Sequence, residues 1–202
     1  LKGKSVLITG SSTGIGSAVA KGFAEAGARV AVHGNASRDK GEALVAEIKA
    51  AGGEAVLVMG DVTKTKEVER IIQETVDAFG GLDVLINNAG SLYKRAPVWE
   101  QDDELYETVT DINVRSVVSA CRVALPHLRK SKGCIINTGS IAGHNGGALG
   151  AGLYAGCKAF VHSWTRSMAI ELGADGIRVN CVSPGTILTP FHERFSNPEK
   201  LE

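Results

Sequence analysis

The sequence predicts a doubly wound α/β fold, in which helices cover both faces of one parallel β-sheet. Six short runs rich in β-branched residues alternate with longer stretches of helical spacing. The short runs are continuously apolar rather than alternating, which is typical of parallel strands buried on both faces. Several helical stretches end at glycine, a residue that commonly follows a helix C-terminus. We therefore expect residues 1–202 to form one domain around a single sheet.

The predicted elements alternate along the whole chain. Strands are expected at residues 4–9, 28–33, 54–59, 83–87, 133–138 and 177–182. Helices are expected at residues 14–27, 38–52, 64–80, 102–130 and 153–173. In such sheets right-handed crossovers join the strands, and ligands bind beyond the carboxyl ends of the strands, near the point where the strand order reverses. Binding and chemistry are therefore expected in the loops that follow strands.

Composition argues against several classes of protein. Lysine and arginine together number 22, as do aspartate and glutamate, so no overall charge attracts the chain to nucleic acid or to an anionic membrane surface. The four cysteines form no C-x-x-C or Cys/His cluster, which argues against zinc and for reduced thiols in a cytoplasmic location. No apolar run approaches the roughly eighteen residues of a membrane helix. We expect no metal site, and partners that are small molecules or proteins.

The stretch LYAGCKAF, residues 153–160, places Tyr154 and Lys158 four residues apart on a predicted helix, where positions i and i+4 share one face. A phenol ordinarily loses its proton near pH 10, and a close ammonium lowers that pKa by roughly 1 to 3. We therefore expect Lys158 to lower the pKa of Tyr154, which becomes a candidate general acid or base near neutral pH. On spacing alone, an interfacial tyrosine beside a solvated lysine is the simpler explanation.

A glycine-rich loop, TGSSTGIG at residues 9–16, follows the first predicted strand and opens the first helix. Its three glycines, at positions 10, 14 and 16, permit a tight turn and a close approach of the backbone to a pyrophosphate. The free N–H groups and the dipole of the helix N-terminus favour the phosphate charge. The spacing is G-x-x-x-G-x-G rather than the usual G-x-G-x-x-G, and a purely structural turn is the alternative.

Four other loops follow predicted strands and are expected at the same rim of the sheet. NNAG, residues 87–90, can tie strand ends together through its side-chain amides, while Ala89 and Gly90 leave room for a ribose or a base. A plain turn is the alternative. GDV, TGS and SPGTILT, at residues 60–62, 138–140 and 183–189, follow the third, fifth and sixth strands.

Five motifs, TGSSTGIG, NNAG, IINTGS, YAGCK and SPGTILT, occur in an order and at separations that resemble the short-chain dehydrogenase/reductase family. The resemblance covers essentially the whole chain. It implies a Rossmann fold and an NAD(P)-dependent oxidoreductase that interconverts a carbonyl and a secondary alcohol. It also implies that Tyr154 is the proton donor or acceptor and that Lys158 activates Tyr154 and holds the nicotinamide ribose. Ser140 would hydrogen-bond the substrate oxygen, and Asn113, in DINV, matches the family's fourth catalytic position.

The resemblance and the loops together predict a set of cofactor contacts. Asp61 and Val62 match positions that contact the adenine, although the side chain of Asp61 also suits a strand-end cap. Ile187 and Thr189 match positions that hold the carboxamide. The full expected set is Gly10, Ser12, Thr13, Gly14, Ile15, Gly16, Asn35, Arg38, Asp61, Val62, Asn88, Ala89, Gly90, Tyr154, Lys158, Pro184, Gly185, Ile187 and Thr189.

The residues after the second predicted strand bear on which cofactor is used. An acidic side chain there accepts hydrogen bonds from the ribose hydroxyls and selects NAD, but Gly34 stands at that place. Asn35, Ser37 and Arg38 offer donors and a positive charge suited to the 2′-phosphate of NADP. Asp39, the acidic neighbour of Arg38, argues against NADP. So does Thr13, which stands where many NADP-using relatives carry a basic residue. We predict NADP in preference to NAD, which is the alternative.

Within the family, the sequence resembles 3-oxoacyl-[acyl-carrier-protein] reductases, with sugar or polyol dehydrogenases close behind. A non-catalytic nucleotide-binding regulator on the same fold is the alternative from another class, since a fold does not determine a function. Family members usually continue through another helix and a seventh strand. Because this chain stops at HERFSNPEKLE, we expect its C-terminal substrate segment to be incomplete.

Two predicted helices carry apolar residues on more than one face, which is more than one side of a sheet requires. They are the stretches 102–130 and 153–173. The residues concerned include Val117, Val118, Val123, Phe160, Val161 and Trp164. Together with the family resemblance, this pattern predicts pairing across a two-fold axis within a homotetramer.

Overall fold

A computed structural model describes residues 1–195 of the chain. Its strands are β1 (Ser5–Ile8), β2 (Arg29–Gly34), β3 (Glu54–Met59), β4 (Val84–Asn87), β5 (Cys134–Thr138) and β6 (Arg178–Val182). They form one parallel sheet in the order β3-β2-β1-β4-β5-β6. This is the strand order of a Rossmann fold, so the predicted fold class is confirmed. The sequence beyond residue 195, on which the expectation about a seventh strand depends, lies outside the described residues.

The helices among the described residues alternate with these strands. They are α1 (Gly14–Glu25), α2 (Arg38–Ala50), α3 (Thr65–Phe79), α4 (Asp103–Thr110), α5 (Ser116–Ser131), α6 (Ala142–Asn145), α7 (Gly152–Leu172) and α8 (Pro190–Phe195). The prediction of one continuous helix at 102–130 is wrong, because a π-helical turn at Asp111–Arg115 separates α4 from α5. None of the described helices is long and apolar enough to cross a membrane.

Alternate residues of the strands face two separate layers of helices, as the two-residue period of a strand requires. Leu7 and its lateral neighbours Ala31 and Leu85 face a core that α3, α5 and α7 cover. Val6 and Val30 face the other core, which α1 and α2 cover. All five are fully buried, and burying a side chain of this size contributes about 1.5–3 kcal/mol for valine or leucine. The central strands therefore form a rigid base for the loops at their carboxyl ends.

Helix α3 illustrates how the sequence specifies a covering helix. Its buried residues are Val68, Ile71, Ile72, Thr75 and Phe79, a spacing of three and four that forms one apolar stripe. The helix ends at Gly80, whose φ of +78° is the left-handed conformation that glycine adopts without strain. The stripe and the terminator together determine which face packs on the sheet.

Two of the valines from which the homotetramer was predicted pack inside the subunit instead. Val117 and Val161 are 3% and 0% exposed and belong to the core beneath α5 and α7, so that part of the reasoning is wrong. Phe160 is 41% exposed and its ring stacks with that of Trp164, with 6.0 Å between the centroids. Phe160 is thus the part of the predicted pattern that faces outward, whereas Trp164 is partly buried against the core.

Candidate active site

A cleft of about 1240 Å³ opens at the carboxyl ends of the strands, where the loops after all six strands converge. Its lining includes most of the predicted site. These residues are Gly10, Ser12, Thr13, Gly14, Ile15, Asn35, Val62, Asn88, Ala89, Gly90, Ser140, Tyr154, Lys158, Pro184, Gly185, Ile187 and Thr189. Four predicted site residues are not among its lining: Gly16, Arg38, Asp61 and Asn113.

The glycine-rich loop packs against the loop after β4 so closely that side chains do not fit. Gly10 has a φ of +64°, and a Cβ atom on it would lie 2.9 Å from the Cα of Ala89. A Cβ atom on Gly16 would lie 2.6 Å from Nδ2 of Asn88. The side chain of Thr13 forms no capping hydrogen bond with the first turn of α1, which leaves N–H groups of that turn for an anionic ligand. These features fit the pyrophosphate of a dinucleotide.

The NNAG loop ties strand ends together, as the sequence predicts. Asn88 Nδ2 donates to the carbonyl oxygens of Thr9 and Gly10 at 2.9 and 3.1 Å, and the backbone nitrogen of Asn88 donates to Thr9 Oγ1 at 3.0 Å. Asn87 differs, because its amide donates to the side chain of Asn137 at 2.8 Å. The loop is thus fixed from both sides.

His33, at the carboxyl end of β2, is a site residue that the sequence reasoning missed. Its Nδ1 accepts a hydrogen bond from the backbone of Gly10 at 2.8 Å, and its Nε2 lies 2.9 Å from the carbonyl oxygen of Gly60. Because a carbonyl only accepts, the neutral ring carries its proton on Nε2. Burial lowers the pKa of this ring, which is 1% exposed. One neutral imidazole therefore joins the loops after β1, β2 and β3.

Lys158 is buried at the floor of the cleft, one helical turn after Tyr154 on α7. It is 3% exposed, and its Nζ donates to the carbonyl oxygen of Thr138 at 2.8 Å. The same Nζ lies 5.5 Å from the centroid of the Tyr154 ring. Burial lowers the pKa of Lys158 to about 8, since removing an ammonium from water disfavours its charged form.

The expectation that Lys158 lowers the pKa of Tyr154 is wrong for this structure. Burial raises the pKa of Tyr154 above its ordinary value, and a hydrogen bond with the Ser140 side chain opposes that increase. Desolvation disfavours the phenolate more than the neighbouring groups favour it. The phenol is consequently neutral around pH 7, in contact with Ser140 and with Lys158 Nζ over its ring.

Asn113 is held within the π-helical turn, behind the lining of the cleft. It is fully buried, and its Nδ2 donates to the carbonyl oxygens of Ser91 and Val109 at 2.7 and 2.8 Å. A Cβ atom on Gly90 would lie 2.8 Å from Asn113 Oδ1 and 3.2 Å from Lys158 Nζ. Glycine at position 90 therefore lets the backbone pass between the amide and the ammonium. π-helical turns are often found at functional sites.

The predicted adenosine contacts are divided between the cleft and its surroundings. Asn35 and Ser37 line the cleft, whereas the Arg38 side chain is 61% exposed and pairs with Glu42 at 3.4 Å. Asp61 accepts hydrogen bonds from the backbone and hydroxyl of Thr63 at 3.0 and 2.7 Å. Although partial burial acts to raise it, these bonds lower the pKa of Asp61. The Asp61 side chain thus stabilises the turn between β3 and α3, while Val62 lines the cleft.

Comparison with known proteins decides the family. A family model described as short chain dehydrogenase matches residues 4–200. The chain belongs to this family. Its members are NAD(P)-dependent oxidoreductases, so the family and the enzyme class that the motifs predict are both confirmed.

Two curated relatives show how far the likeness extends. The chain is 36% identical to the L-fucose dehydrogenase of Oryctolagus cuniculus over 96% of its own length and 66% of that protein. It is 40% identical to the 3-oxoacyl-[acyl-carrier-protein] reductase FabG of Staphylococcus epidermidis, over 98% of its own length and 80% of that protein. The chain thus spans only part of each relative.

Two solved structures resemble the chain closely. The NADH-dependent reductase A1-R', complexed with NAD, has a TM-score of 0.88 and 42% identity, covering 93% of this chain and 80% of that one. A short chain dehydrogenase from Burkholderia cenocepacia, in complex with NADP, has a TM-score of 0.90 and 37% identity, covering 95% of this chain and 77% of that one. Each nicotinamide dinucleotide is therefore bound by a structural relative.

Proposed function

We propose that this chain interconverts a carbonyl and a secondary alcohol by hydride transfer, with Tyr154 as the general acid or base. The observation that carries the proposal is the meeting of Tyr154, Ser140 and Lys158 at one end of a cleft whose other end is a glycine loop and a helix N-terminus. One end suits a phosphate, and the other suits a polar reacting group. A non-catalytic nucleotide-binding regulator would need only the end of the cleft that suits a phosphate.

The side chains have separate tasks in this proposal. A bound reduced nicotinamide would supply the hydride for reduction, and its oxidised form would accept the hydride in oxidation. Tyr154 gives its phenolic proton to the substrate oxygen during reduction and takes it back during oxidation. Ser140 donates a hydrogen bond to the same oxygen and stabilises the charge that develops there. The proton lost by Tyr154 is replaced from solvent, so the residues end each turnover unchanged.

Lys158 and Asn113 act behind the reacting groups. Although Lys158 does not lower the pKa of the resting phenol, its ammonium stabilises the negative charge that develops on the Tyr154 oxygen during the proton transfer. It also has N–H groups available for the ribose hydroxyls of the dinucleotide. Asn113 holds the backbone at Ser91, next to Gly90, and so keeps open the space beside Lys158.

We propose a 3-oxoacyl thioester as the substrate, and a sugar or polyol as the alternative. The two curated relatives, a 3-oxoacyl-[acyl-carrier-protein] reductase and an L-fucose dehydrogenase, support one substrate class each. Among the described residues that line the cleft, the side chains that carry full charge are cationic, Arg95 and Lys158. A neutral or anionic substrate therefore fits the cleft better than a cationic one.

For the cofactor, we propose NADP in preference to NAD. Gly34 provides no carboxylate to repel a 2′-phosphate, and Asn35 and Ser37 line the adjacent part of the cleft. The exposed Arg38 guanidinium pairs with Glu42 on the helix surface and must turn toward the cleft to contact a phosphate. The relatives in complex with NAD and with NADP support one alternative each.

We further propose that the protein acts in the cytoplasm as a homotetramer. The cysteines support the location, since the four are not paired with one another among the described residues. The exposed Phe160 on α7, whose ring stacks with that of Trp164, supports an interface on that helix. Sedimentation of the purified protein tests the oligomeric state, and a monomer would contradict it.

A spectrophotometric assay of nicotinamide oxidation tests the central proposal. The panel contains 3-oxoacyl thioesters, sugars and polyols, each with NADPH or NADP and with NADH or NAD. Tyr154→Phe keeps the ring but removes the transferable proton, so turnover should fall by at least about a hundredfold while cofactor binding persists. Near-native turnover by Y154F would refute the role of Tyr154. Cofactor binding without turnover of any substrate by the parent would favour the regulator instead.

A further inference from the structure

His162 joins two loops that border the cleft. It lies on α7, one helical turn after Lys158, and is 8% exposed. Its Nε2 lies 3.3 Å from the backbone nitrogen of Ser140 and 2.9 Å from Oγ of Ser183. Ser140 follows β5 and Ser183 follows β6. A single imidazole nitrogen therefore contacts the ends of two neighbouring strands directly behind the proposed catalytic serine.

The ring of His162 is held on several sides. A Cβ atom on Gly139 would lie 2.2 Å from its Nε2, and one on Gly143 would lie 2.8 Å from its Cε1. The ring of His144, on α6, stacks on it with 4.2 Å between the centroids. Because two glycines and a stacked ring enclose it, the imidazole cannot turn away from Ser140 without displacing backbone.

The hydrogen bonds determine which nitrogen carries the proton. The backbone N–H of Ser140 can only donate, so Nε2 of His162 must accept, and the neutral ring carries its proton on Nδ1. The hydroxyl of Ser183 can rotate and donate to the same nitrogen, in which case the two donors share the single lone pair of Nε2. Protonation of Nε2 would place one N–H against another, and the contact with Ser140 would be lost.

The surroundings of His162 favour its neutral form. The titratable groups around it are His144 on α6, Lys158 and Arg166 on α7, and Cys181 on β6. Burial lowers the pKa of His162 below 6.5, and His144, Arg166 and Lys158 lower it further. Since the folded state disfavours the protonated ring, the contact with Ser140 is intact at pH 6.5 and above, and it is lost only as the pH falls through the lowered pKa of His162.

We propose that neutral His162 is a positioning residue for Ser140, whose backbone it holds so that the hydroxyl meets the substrate oxygen, and that acid releases this hold. The inference rests on the proposed function, in which Ser140 contacts that oxygen. His162 exchanges no proton or electron with the substrate in this scheme. It acts on turnover only through the orientation of Ser140.

Two-dimensional ¹H–¹⁵N NMR of the cofactor-free protein tests the contact without any substrate. The amide resonance of Ser140 should titrate together with the ring of His162 below pH 6.5, and H162Q should abolish that titration. H144Q should move the midpoint to higher pH without abolishing it. H127Q, which changes a histidine on α5 outside the cleft lining, is the matched control and should change nothing. A Ser140 amide that does not respond to pH in the parent would overturn the proposal.

Steady-state kinetics test the consequence for turnover. Glutamine at position 162 can place an amide oxygen near Nε2 and still accept from Ser140, whereas leucine cannot. We expect H162L to lower kcat by about tenfold, the effect of losing one such hydrogen bond, with KM and cofactor Kd within about twofold of the parent. H162Q should retain kcat within about threefold and lose the fall of kcat at acid pH. Equal losses in H162Q and H162L would mean that the ring only fills space, and would overturn the proposal.

S140A distinguishes a failure of this inference from a failure of the proposed function. If S140A turns over like the parent, the catalytic role of Ser140 is refuted, and with it the effect assigned to His162, even where the NMR titration shows their contact. If S140A is inactive and H162L behaves like the parent, the proposed function stands and the positioning role is refuted. Inactive S140A together with impaired H162L and rescued H162Q supports both.

Discussion

Lys158→Met should make the cofactor-free protein more stable at pH 7 while removing its activity. The pKa of Lys158 falls from an ordinary 10.5 to about 8 because the ammonium is buried, which corresponds to about 3 kcal/mol of added free energy for the charged form. Methionine has a similar length and carries no charge. It leaves the carbonyl of Thr138 without its donor, at a cost of about 1–2 kcal/mol. We expect a net increase of about 1–2 kcal/mol in the free energy of unfolding.

Urea unfolding followed by tryptophan fluorescence measures this difference. Above pH 8 the folded parent holds Lys158 neutral while the unfolded chain still binds the proton, so the parent gains stability as the pH rises toward 10.5. The advantage of K158M should therefore be largest below pH 8 and smaller at pH 9.5. K66M, which changes an exposed lysine on α3, should stay within about 0.5 kcal/mol of the parent. A K158M variant that is less stable than the parent at pH 7 would refute the reasoning.

The remaining predictions concern the other end of the cleft. His33→Leu leaves the N–H of Gly10 and the carbonyl of Gly60 unpaired. The free energy of unfolding, measured by urea unfolding, should therefore fall by about 2–4 kcal/mol. The cofactor Kd, measured by nicotinamide fluorescence, should rise. The parent should itself lose stability as the pH falls below 6.5, because burial lowers the pKa of His33. An H33L variant with unchanged stability and unchanged cofactor Kd would contradict the role of His33 in joining the loops. Arg38→Ala should lower kcat/KM for NADPH by about tenfold, and Gly34→Asp should favour NADH; an NADH preference in the parent would contradict the cofactor proposal.

Strand positions could be predicted from the sequence, but the break in the long helix could not. Each strand of the sheet lies within one residue of its predicted bounds, because an apolar run between turn residues has one way to pack in a parallel sheet. The π-helical turn at Asp111–Arg115 leaves no mark on the apolar spacing around it. It is supported by tertiary contacts, since Asn113 hydrogen-bonds to Ser91 on the loop after β4. A contact between residues far apart in the sequence cannot be predicted from the local spacing of apolar residues.

The same limit explains which site residues were found. The glycine loop and the NNAG loop were found because each follows a strand, and parallel strands end at one rim. His33 and His162 were missed because a lone histidine in an apolar run has no diagnostic spacing. Their partners, Gly10 and Ser140, are 23 and 22 residues away in the sequence. The pairing of β2 with β1 brings His33 to Gly10, and the packing of α7 on the sheet brings His162 to Ser140.

Tyr154 and Lys158 show that two side chains can be placed close together by sequence spacing while their pKa values are set by burial. Spacing places Tyr154 and Lys158 on one face of a helix, and it says nothing of how much water surrounds them. Burial raises the pKa of Tyr154 and lowers that of Lys158, and both changes disfavour a phenolate beside an ammonium. The neutral phenol is the form that donates a proton, so it is the form that the proposed carbonyl reduction uses. The proposed alcohol oxidation uses the phenolate, and because burial raises the pKa of Tyr154, a higher pH favours that form.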